Sequence, residues 1–527
     1  MEKKKKLIIL GVIILILTIS GLTYAILTWT SSKINIGLTS GCFTIDYNKG
    51  QDISGNLKLL NINEQFDNDG NFVIEEGMGL SYANLGIKSS CTIEGYGSLY
   101  LNVTTLSDSF KEGGDSKGAL GYALLRNTSN LSNDKLTIEN LKGQSFEMID
   151  AKPITNTGTI KLVTEQLSNT ELNKYLIVIF VDSYSAGNSI TSASFQGNIS
   201  ASANQGKVPL ATQIIGLYNN ASKTIVTNNN INYEYDTTNN LMQDVGGNIR
   251  YYGASPNNYI YFNCSDYANQ TSSTCELWRI IGVFDGKVKL IRNESIGNYA
   301  WDNKNTSTGA EIDYGKNDWT EARLMKLLNP GYESETTGGS LYYTSGSGNC
   351  YAGQNNATKT CDFTSTGIKN DKTRGLISEE TYSLLGWNTS DIYANEIYEY
   401  ERSTGKVYSD RSKEWTGKIA LAYPSDYGYA VDLSKCSQNL NNYENSTCKS
   451  NNWMKTIVNN GSSNSGWLLT PHSGVSDIAW YVLSSGFVSY SHDAYSAYGV
   501  APVLYLNSEL AVKSGTGSSS EPYQLAV

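Results

Sequence analysis

This sequence has few histidines and no pair of cysteines at the spacing of a metal-binding motif, which limits the metal sites that it can form. The chain of 527 residues contains two histidines, His472 and His492, and it has neither a C-x-x-C spacing nor an H-E-x-x-H motif. Zinc sites in proteins need several such ligands at characteristic spacings. We therefore expect no metal site and no cofactor.

Charged side chains are also few, and no basic cluster stands out beyond the first residues. Charged residues make up 17% of the chain, the net charge is −10, and there are 37 tyrosines against 8 prolines. Proteins that bind nucleic acids neutralise phosphates with lysine and arginine, so this composition excludes nucleic acid as a partner. A polar but weakly charged surface is typical of β-sheets joined by long loops.

A membrane-insertion signal stands at the N-terminus, where four lysines at positions 3–6 precede an apolar run over residues 7–29. A helix over this run would reach roughly 34 Å, enough to cross a hydrocarbon core of about 30 Å. The lysines indicate that the N-terminus stays in the cytoplasm. We expect residues 1–31 to form a signal anchor that leaves the rest of the chain outside the cell. Cleavage after Ala25, which would make the protein secreted, is the alternative.

The cysteines are even in number and fall into neighbouring pairs. Three pairs enclose short loops rich in asparagine, serine and threonine, which is typical of disulfides formed in an oxidising compartment. Closing loops of this length stabilises a fold by about 2 to 3 kcal/mol each. Free thiols are the alternative. The predicted disulfides are Cys264–Cys275, Cys350–Cys361, Cys436–Cys448 and, by the same pairing, Cys42–Cys91.

The segment over residues 32–205 reads as an all-β sandwich domain. Residues 175–181 form a continuous apolar run of strand length, which predicts a strand buried on both faces. Turn-forming residues at 67–70 and 112–115 separate such runs and favour antiparallel pairing over βαβ units.

Three stretches of this first half are similar to the TasA/camelysin group, which comprises secreted Bacillus-type β-sandwich proteins of the biofilm matrix and cell surface. They are the signal region ending at Tyr24-Ala25, residues 34–37 and residues 194–205. The resemblance implies a jelly-roll-like scaffold and is compatible with fibre assembly. The camelysin name suggests protease activity, but the metal-binding motif that would carry it is absent.

The second half begins after a polar, asparagine-rich stretch that predicts a linker over residues 206–245. Residues 246–527 combine short strands with two short helices, so we expect an α+β domain. Asp285-Gly286 between two apolar runs predicts a hairpin. Asp318 is placed to cap one helix, and Ser378 is placed to cap a second over residues 379–385.

Five motifs in this second half resemble a bacterial surface-domain family with a C-type-lectin-like fold, related to the sulfatase-modifying-factor and Fibrobacter major paralogous groups. The resemblance implies a non-catalytic ligand-binding domain. The sequence departs from the family at Thr470 and Ala501, where arginine is frequent, which puts any ligand salt bridge from those positions in doubt. The motifs lie at residues 278–282, 317–319, 423–427, 466–471 and 498–504.

The sequence of the second half contains no recognisable catalytic motif. The redox-active cysteine pair of the sulfatase-modifying relatives lies near the C-terminus, whereas no cysteine follows Cys448 here. A G-x-S-x-G motif is absent from the second half, and Ser425-Asp426 is more typical of a turn than of a nucleophile site. We expect no enzyme; a formylglycine-generating or hydrolytic enzyme remains the alternative.

Ligand binding is best placed in residues 480–498, where tyrosines alternate with serine, glycine and alanine. Tyrosine offers a large amphipathic contact at low entropic cost, and small polar neighbours adapt to a ligand. We predict a cell-surface adhesion protein for a glycan or protein ligand, with a structural subunit of an extracellular matrix or surface fibre as the alternative. An ordinary solvated hairpin is the alternative for the site itself. The candidate residues are Tyr481, Tyr490, His492, Asp493, Tyr495 and Tyr498.

Overall fold

The computed structural model divides the chain into two compact units, Met1–Val208 and Pro209–Val527, and each is described by itself. The described residues are 26–27, 37–38, 42–51, 59–67, 72–74, 78–111, 113–129, 136–137, 141, 144–187, 190, 193–219, 221–459 and 464–527.

The predicted membrane segment lies outside these residues, except for a short strand at Ile26–Leu27. Within the described part of the chain, no helix is both long enough and apolar enough to cross a membrane.

The first unit contains two sheets whose strands pair mainly antiparallel. One has the order β1-β11-β6-β9 with β2 beside β11, and the other has the order β3-β5-β10-β7-β8 with β4 beside β10. The strands are β1 (Ile26–Leu27), β2 (Gly37–Leu38), β3 (Phe43–Gln51), β4 (Leu59–Leu60), β5 (Gly79–Ile87), β6 (Gly95–Leu106), β7 (Leu120–Asn127), β8 (Phe146–Pro153), β9 (Gly158–Leu167), β10 (Asn173–Asp182) and β11 (Ser194–Gln205).

The sheets of the first unit share one core, as in a β-sandwich. Leu99 and Ile199 of one sheet pack with Ile177 of the other. The opposite face of β10, which includes Leu176 and Val178, belongs to a second buried cluster. Burial of β10 on both faces, which the uninterrupted apolar run predicts, is therefore confirmed.

The second unit is built on a ten-stranded sheet and a five-stranded sheet. The large sheet has the order β12-β13-β14-β15-β17-β18-β30-β22, with β16 beside β17 and β25 beside β30, and the smaller has the order β19-β29-β26-β27-β28. Their strands, with three two-stranded ribbons, are β12 (Thr224–Asn228), β13 (Ile231–Asp236), β14 (Leu241–Gln243), β15 (Ile249–Tyr251), β16 (Tyr259–Phe262), β17 (Glu276–Phe284), β18 (Lys287–Arg292), β19 (Asn298–Tyr299), β20 (Ser347–Tyr351), β21 (Thr358–Asp362), β22 (Ile377–Ser378), β23 (Glu380–Ser383), β24 (Glu414–Gly417), β25 (Ile419–Ala420), β26 (Gly466–Pro471), β27 (Ala479–Val482), β28 (Val488–Ser489), β29 (Tyr498–Gly499), β30 (Val503–Leu506), β31 (Ala511–Ser514) and β32 (Gln524–Ala526).

Short helices accompany these sheets, and apolar side chains are buried on both faces of the large sheet. Ile280 of β17 lies in one core cluster and its neighbour Ile281 lies in another. The helices are α1 (Leu210–Asn219), α2 (Arg323–Leu328), α3 (Asp371–Leu376), α4 (Ala394–Glu399), α5 (Pro424–Tyr429), α6 (Ser446–Ser450) and α7 (Lys455–Val458), with a π-helical turn at Tyr400–Thr404.

The region predicted as a linker, residues 206–245, differs from that expectation. It holds α1, β12, β13 and β14, and these strands belong to the large sheet. Its asparagines serve as turn residues: Asn229 and Asn230 have positive φ values of 45° and 60° between β12 and β13. Asparagine tolerates this left-handed backbone conformation better than most residues, so the polar composition reflects a hairpin.

The two helices predicted in the second half have different outcomes. Helix α2 exists, but it begins at Arg323, after a turn in which Asp318 accepts hydrogen bonds from Thr320. The helix predicted over 379–385 is wrong, because β23 occupies that region and pairs with β24. The hairpin at Asp285-Gly286 is confirmed between β17 and β18.

All four predicted disulfides are present. They join Cys42 to Cys91, Cys264 to Cys275, Cys350 to Cys361 and Cys436 to Cys448, and no cysteine among the described residues is free. Each disulfide of the second unit closes the base of a short loop.

A buried ionic network connects distant parts of the second unit. Asp426 in α5 accepts hydrogen bonds from Arg250 of β15 at 2.8 Å and from Lys289 of β18 at 2.5 Å. Arg250 also contacts Asp244 at 2.5 Å, and all four side chains are at most 1% exposed. Burial alone raises the pKa of Asp426, but Lys289 and Arg250 outweigh it and lower that pKa to about 2.

Candidate functional site

The six predicted ligand-binding residues lie on the two strands that flank β26 in the five-stranded sheet and in one loop beside them. Tyr481 is part of β27 and Tyr498 is part of β29, while the other four lie in the loop 490–497 that connects β28 to β29. Their exposure differs: His492 is exposed, Tyr481 is fully buried, and the remaining four are half-buried. The sequence pattern therefore locates a contiguous region, but it does not separate core residues from surface residues.

Three of the six residues form a mutual aromatic cluster. The ring centroids of Tyr481, His492 and Tyr498 lie 5.1 to 5.8 Å from one another. Trp467 of β26 supports this cluster at 5.8 Å from Tyr481 and 4.8 Å from Tyr498. The hydroxyls of Tyr481 and Ser491 are hydrogen-bonded at 2.9 Å, which fixes the start of the loop. His492 is thus an exposed ring on a buried aromatic base.

Tyr495 pairs with a residue that the sequence analysis missed. Its ring lies 5.9 Å from that of Tyr314, which is 43% exposed. Tyr314 comes from a loop far away in the sequence, so no local pattern around residue 495 could indicate it. An exposed tyrosine between Asp313 and Gly315 in a turn-rich stretch is the one signal that the sequence offers.

The loop that carries Tyr314 is held in place by polar contacts on both sides. The Asn317 side chain donates hydrogen bonds to the carbonyls of His472, Val475 and Ile478 at 2.8 to 3.0 Å. Arg411 donates to both carboxylate oxygens of Glu311 at 2.7 and 3.0 Å. A bidentate contact of this kind restrains orientation as well as distance.

Tyr490 belongs to a different aromatic group. Its ring lies 4.9 Å from His472 and 4.8 Å from Trp480. Trp480 stacks on Trp387 at 4.4 Å, and Trp387 stacks on Tyr400 at 6.2 Å. We call these five rings the tryptophan stack. Trp480 and Trp387 are buried, whereas Tyr490 and Tyr400 are partly exposed.

Asp493 forms a carboxyl pair with Asp477. Burial, and then the neighbouring Asp493, raise the pKa of Asp477 to about 6. Burial also raises the pKa of Asp493, although its hydrogen bond with Asp477 acts in the opposite direction. Two carboxyl groups in contact share a proton, since both cannot ionise without repulsion. Asp477 therefore holds a proton in mildly acidic solution and donates it to Asp493.

The serines of the two candidate nucleophile motifs are engaged in structural contacts. The Ser425 hydroxyl is buried and donates to Glu401, while the carboxylate of Asp426 accepts from the backbone of Tyr423 and belongs to the ionic network. A G-x-S-x-G sequence occurs at residues 114–118 of the first unit, where the hydroxyl of buried Ser116 accepts a hydrogen bond from the backbone of Gly187. In the described part of the chain, no group of His, Cys, Asp or Glu is arranged to hold a metal ion.

Two comparisons with known proteins found no match to this chain. No protein-family model matches the chain, and no curated protein is significantly similar to it. The chemistry of the site must therefore be argued from its own residues.

Proposed function

We propose that this chain is a non-catalytic bacterial cell-surface binding protein whose second unit presents a ligand-binding surface. The observation that carries the proposal is the group of accessible rings of His492, Tyr495 and Tyr314. Tyrosine and histidine rings on loops above a rigid sheet offer contact area without much loss of side-chain entropy on binding. A cell-surface glycan or protein is the ligand that fits this chemistry.

The fold proposed for each unit follows the resemblances noted in the sequence. The two facing sheets of the first unit are compatible with a jelly-roll-like domain of the TasA/camelysin kind. The second unit combines a long hairpin, short helices and terminal strands, which is compatible with a C-type-lectin-like domain. Both assignments remain proposals about family.

We place the protein outside the cytoplasm. Disulfides form in oxidising compartments, and both units contain them. Residues 7–29 would hold an uncleaved chain in the cell membrane, while cleavage after Ala25 would release it. The parallel pairing of Ile26–Leu27 with residues 194 and 195 puts these two residues in a sheet of the first unit, which supports the cleaved form.

The proposal is tested by removing the accessible rings. We expect Tyr314→Ala, His492→Ala and Tyr495→Ala, combined in the exported full chain, to abolish binding to arrays of glycans and surface proteins. Tyr490 is left intact, because its ring packs on Trp480 and its loss would also reduce stability. The matched control is Tyr184→Ala in the first unit, since Tyr184 is 80% exposed. Unchanged binding by the triple variant contradicts the proposal.

A further inference from the structure

Of the buried polar atoms of the second unit that lack a hydrogen-bond partner among the described residues, three lie in neighbouring positions of β26, β27 and the segment between them. They are the Thr470 hydroxyl, Nε2 of His472 and the indole nitrogen of Trp480. The three residues are 0%, 6% and 1% exposed. A buried donor without a partner costs free energy on folding, because the unfolded chain would bond it to water. Three such atoms close together therefore need an explanation.

His472 and Trp480 belong to the tryptophan stack, and Thr470 lies beside it. Leu468, Trp480 and Val482 share one core cluster, which places Trp480 on the same face of the β26–β27 pair as Leu468. A side chain on Gly386 would come within 3.3 Å of the Thr470 methyl group, so Thr470 adjoins the segment that carries Trp387. The His472 ring lies 6.1 Å from that of Trp480.

All three atoms can act as hydrogen-bond donors. The backbone nitrogen of Gly474 donates to Nδ1 of His472 at 3.1 Å, which assigns the ring hydrogen to Nε2. Burial lowers the pKa of His472 to about 4, so the ring is neutral near pH 7. The indole nitrogen is a donor only, and the Thr470 hydroxyl can donate. The cluster is thus uncharged and complementary to a group that supplies acceptor oxygens.

Tyr490 covers this cluster. Its ring stacks on His472 with an angle of 28° between the planes and meets the Trp480 ring at 61°. It stands at the start of the loop 490–497 and is partly exposed, so it can leave without disturbing a strand.

We propose that Tyr490 is a displaceable cover over a binding pocket for an uncharged sugar ring. On displacement, the sugar takes the place of the tyrosine ring against the aromatic side chains, and its oxygens accept hydrogen bonds from Thr470, His472 and Trp480. The absence of a charged group among these residues disfavours acidic or basic sugars. This inference rests on the proposed surface-binding function and names a ligand class and a second site for it.

The test uses the full chain in a detergent without a sugar headgroup. The probes are glucose, galactose, N-acetylglucosamine and N-acetylgalactosamine, observed by saturation-transfer NMR. We expect Thr470→Val to weaken sugar binding by about tenfold or more, because it removes one donor and keeps the shape of the side chain. The same variant should keep or raise the unfolding midpoint, since its lost hydroxyl has no partner to lose. We expect Tyr490→Ala to strengthen binding several-fold.

Thr373→Val is the matched control. Thr373 is equally buried, but its hydroxyl is hydrogen-bonded to Tyr267 at 3.1 Å and to Asn370 at 3.2 Å. This variant should lower the unfolding midpoint and leave sugar binding unchanged.

Three outcomes overturn the inference. They are saturation transfer to none of the four sugars, binding that Thr470→Val leaves intact, and an unfolding midpoint that Thr470→Val lowers as much as Thr373→Val does. The last result would show that buried water already satisfies the hydroxyl. If array binding requires Tyr314, His492 and Tyr495 and yet is unaffected by Thr470→Val, that result would support the proposed surface-binding function and contradict the sugar pocket.

Discussion

Asp426 is the residue on which the buried ionic network converges, and its removal should be severe. We expect Asp426→Ala to destabilise the second unit by about 3 to 5 kcal/mol, because Lys289 would stay buried without a counter-charge and Arg250 would keep only Asp244. Denaturant unfolding measures the loss. The control is Asp371→Ala, which breaks the contact of a fully exposed side chain with Arg374 and should cost less than about 1 kcal/mol. An equal loss of unfolding free energy in the two variants would contradict a central role of Asp426 in the ionic network.

The carboxyl pair of Asp477 and Asp493 makes stability depend on pH. The pKa of Asp477 is raised from its ordinary value of 3.8 to about 6 in the folded protein. The folded state therefore binds this proton more tightly, and its stabilising effect is full below about pH 4 and lost as the pH rises through about 6. We expect Asp477→Asn to flatten this part of the pH profile, measured as unfolding midpoints from pH 4 to 7. Parallel profiles for the variant and the parent would rule out the shared proton.

For individual residues, the sequence pointed to Asp426 and Tyr495 but did not show which side chains contact them. It predicted a turn at Asp426, whereas the structure places this residue in α5, where its carboxylate accepts from the amide of Tyr423. Its partners Arg250 and Lys289 precede it by 176 and 137 residues, so no local pattern could indicate them. Tyr314 beside Tyr495 was missed for the same reason.

At the scale of elements, the hairpin of β17 and β18 depends on its turn. Gly286 has a φ of 76°, and a Cβ there would meet no atom within 4 Å. A substitution at this position would therefore destabilise the fold only through the unfavourable backbone conformation. We expect Gly286→Ala to destabilise the protein by about 1 to 2 kcal/mol. The same substitution at Gly216, inside α1 and also without neighbours, should stabilise it by about 0.5 to 1 kcal/mol. Thermal unfolding should show a lower midpoint for Gly286→Ala and a higher midpoint for Gly216→Ala than for the parent protein.

The elements that the sequence predicted are those whose signals are local. The turn residues of β17–β18 and the apolar run of β10 are readable within ten residues. Strand β23 has no such local signal. The ring of its buried Tyr382 lies 5.5 Å from that of Trp415 and 5.9 Å from that of Tyr505, and both partners are distant in the sequence. These contacts override the helical preference suggested by Ser378 and the glutamates that follow.

At the scale of the whole molecule, the proposed location outside the membrane has a direct test. Protease treatment of intact cells should release peptides from both units, because the proposal has residues 30–527 outside the membrane. A cytoplasmic protein of the same cells serves as the control and should stay uncut. Protection of residues 251–527 under these conditions would place the second unit inside the cell.

If the chain is exported as proposed, the ionic network and the large sheet also set the order in which the second unit folds. Arg250 and Lys289 emerge long before Asp426, and β18 must wait for β30 at the far end of the sequence. The second unit therefore cannot close until translocation is nearly complete, and such distant pairings form slowly. Its disulfides span only 11 or 12 residues and can form as soon as each loop appears. In the proposed export, the short loops are therefore already closed by their disulfides when the sheet assembles.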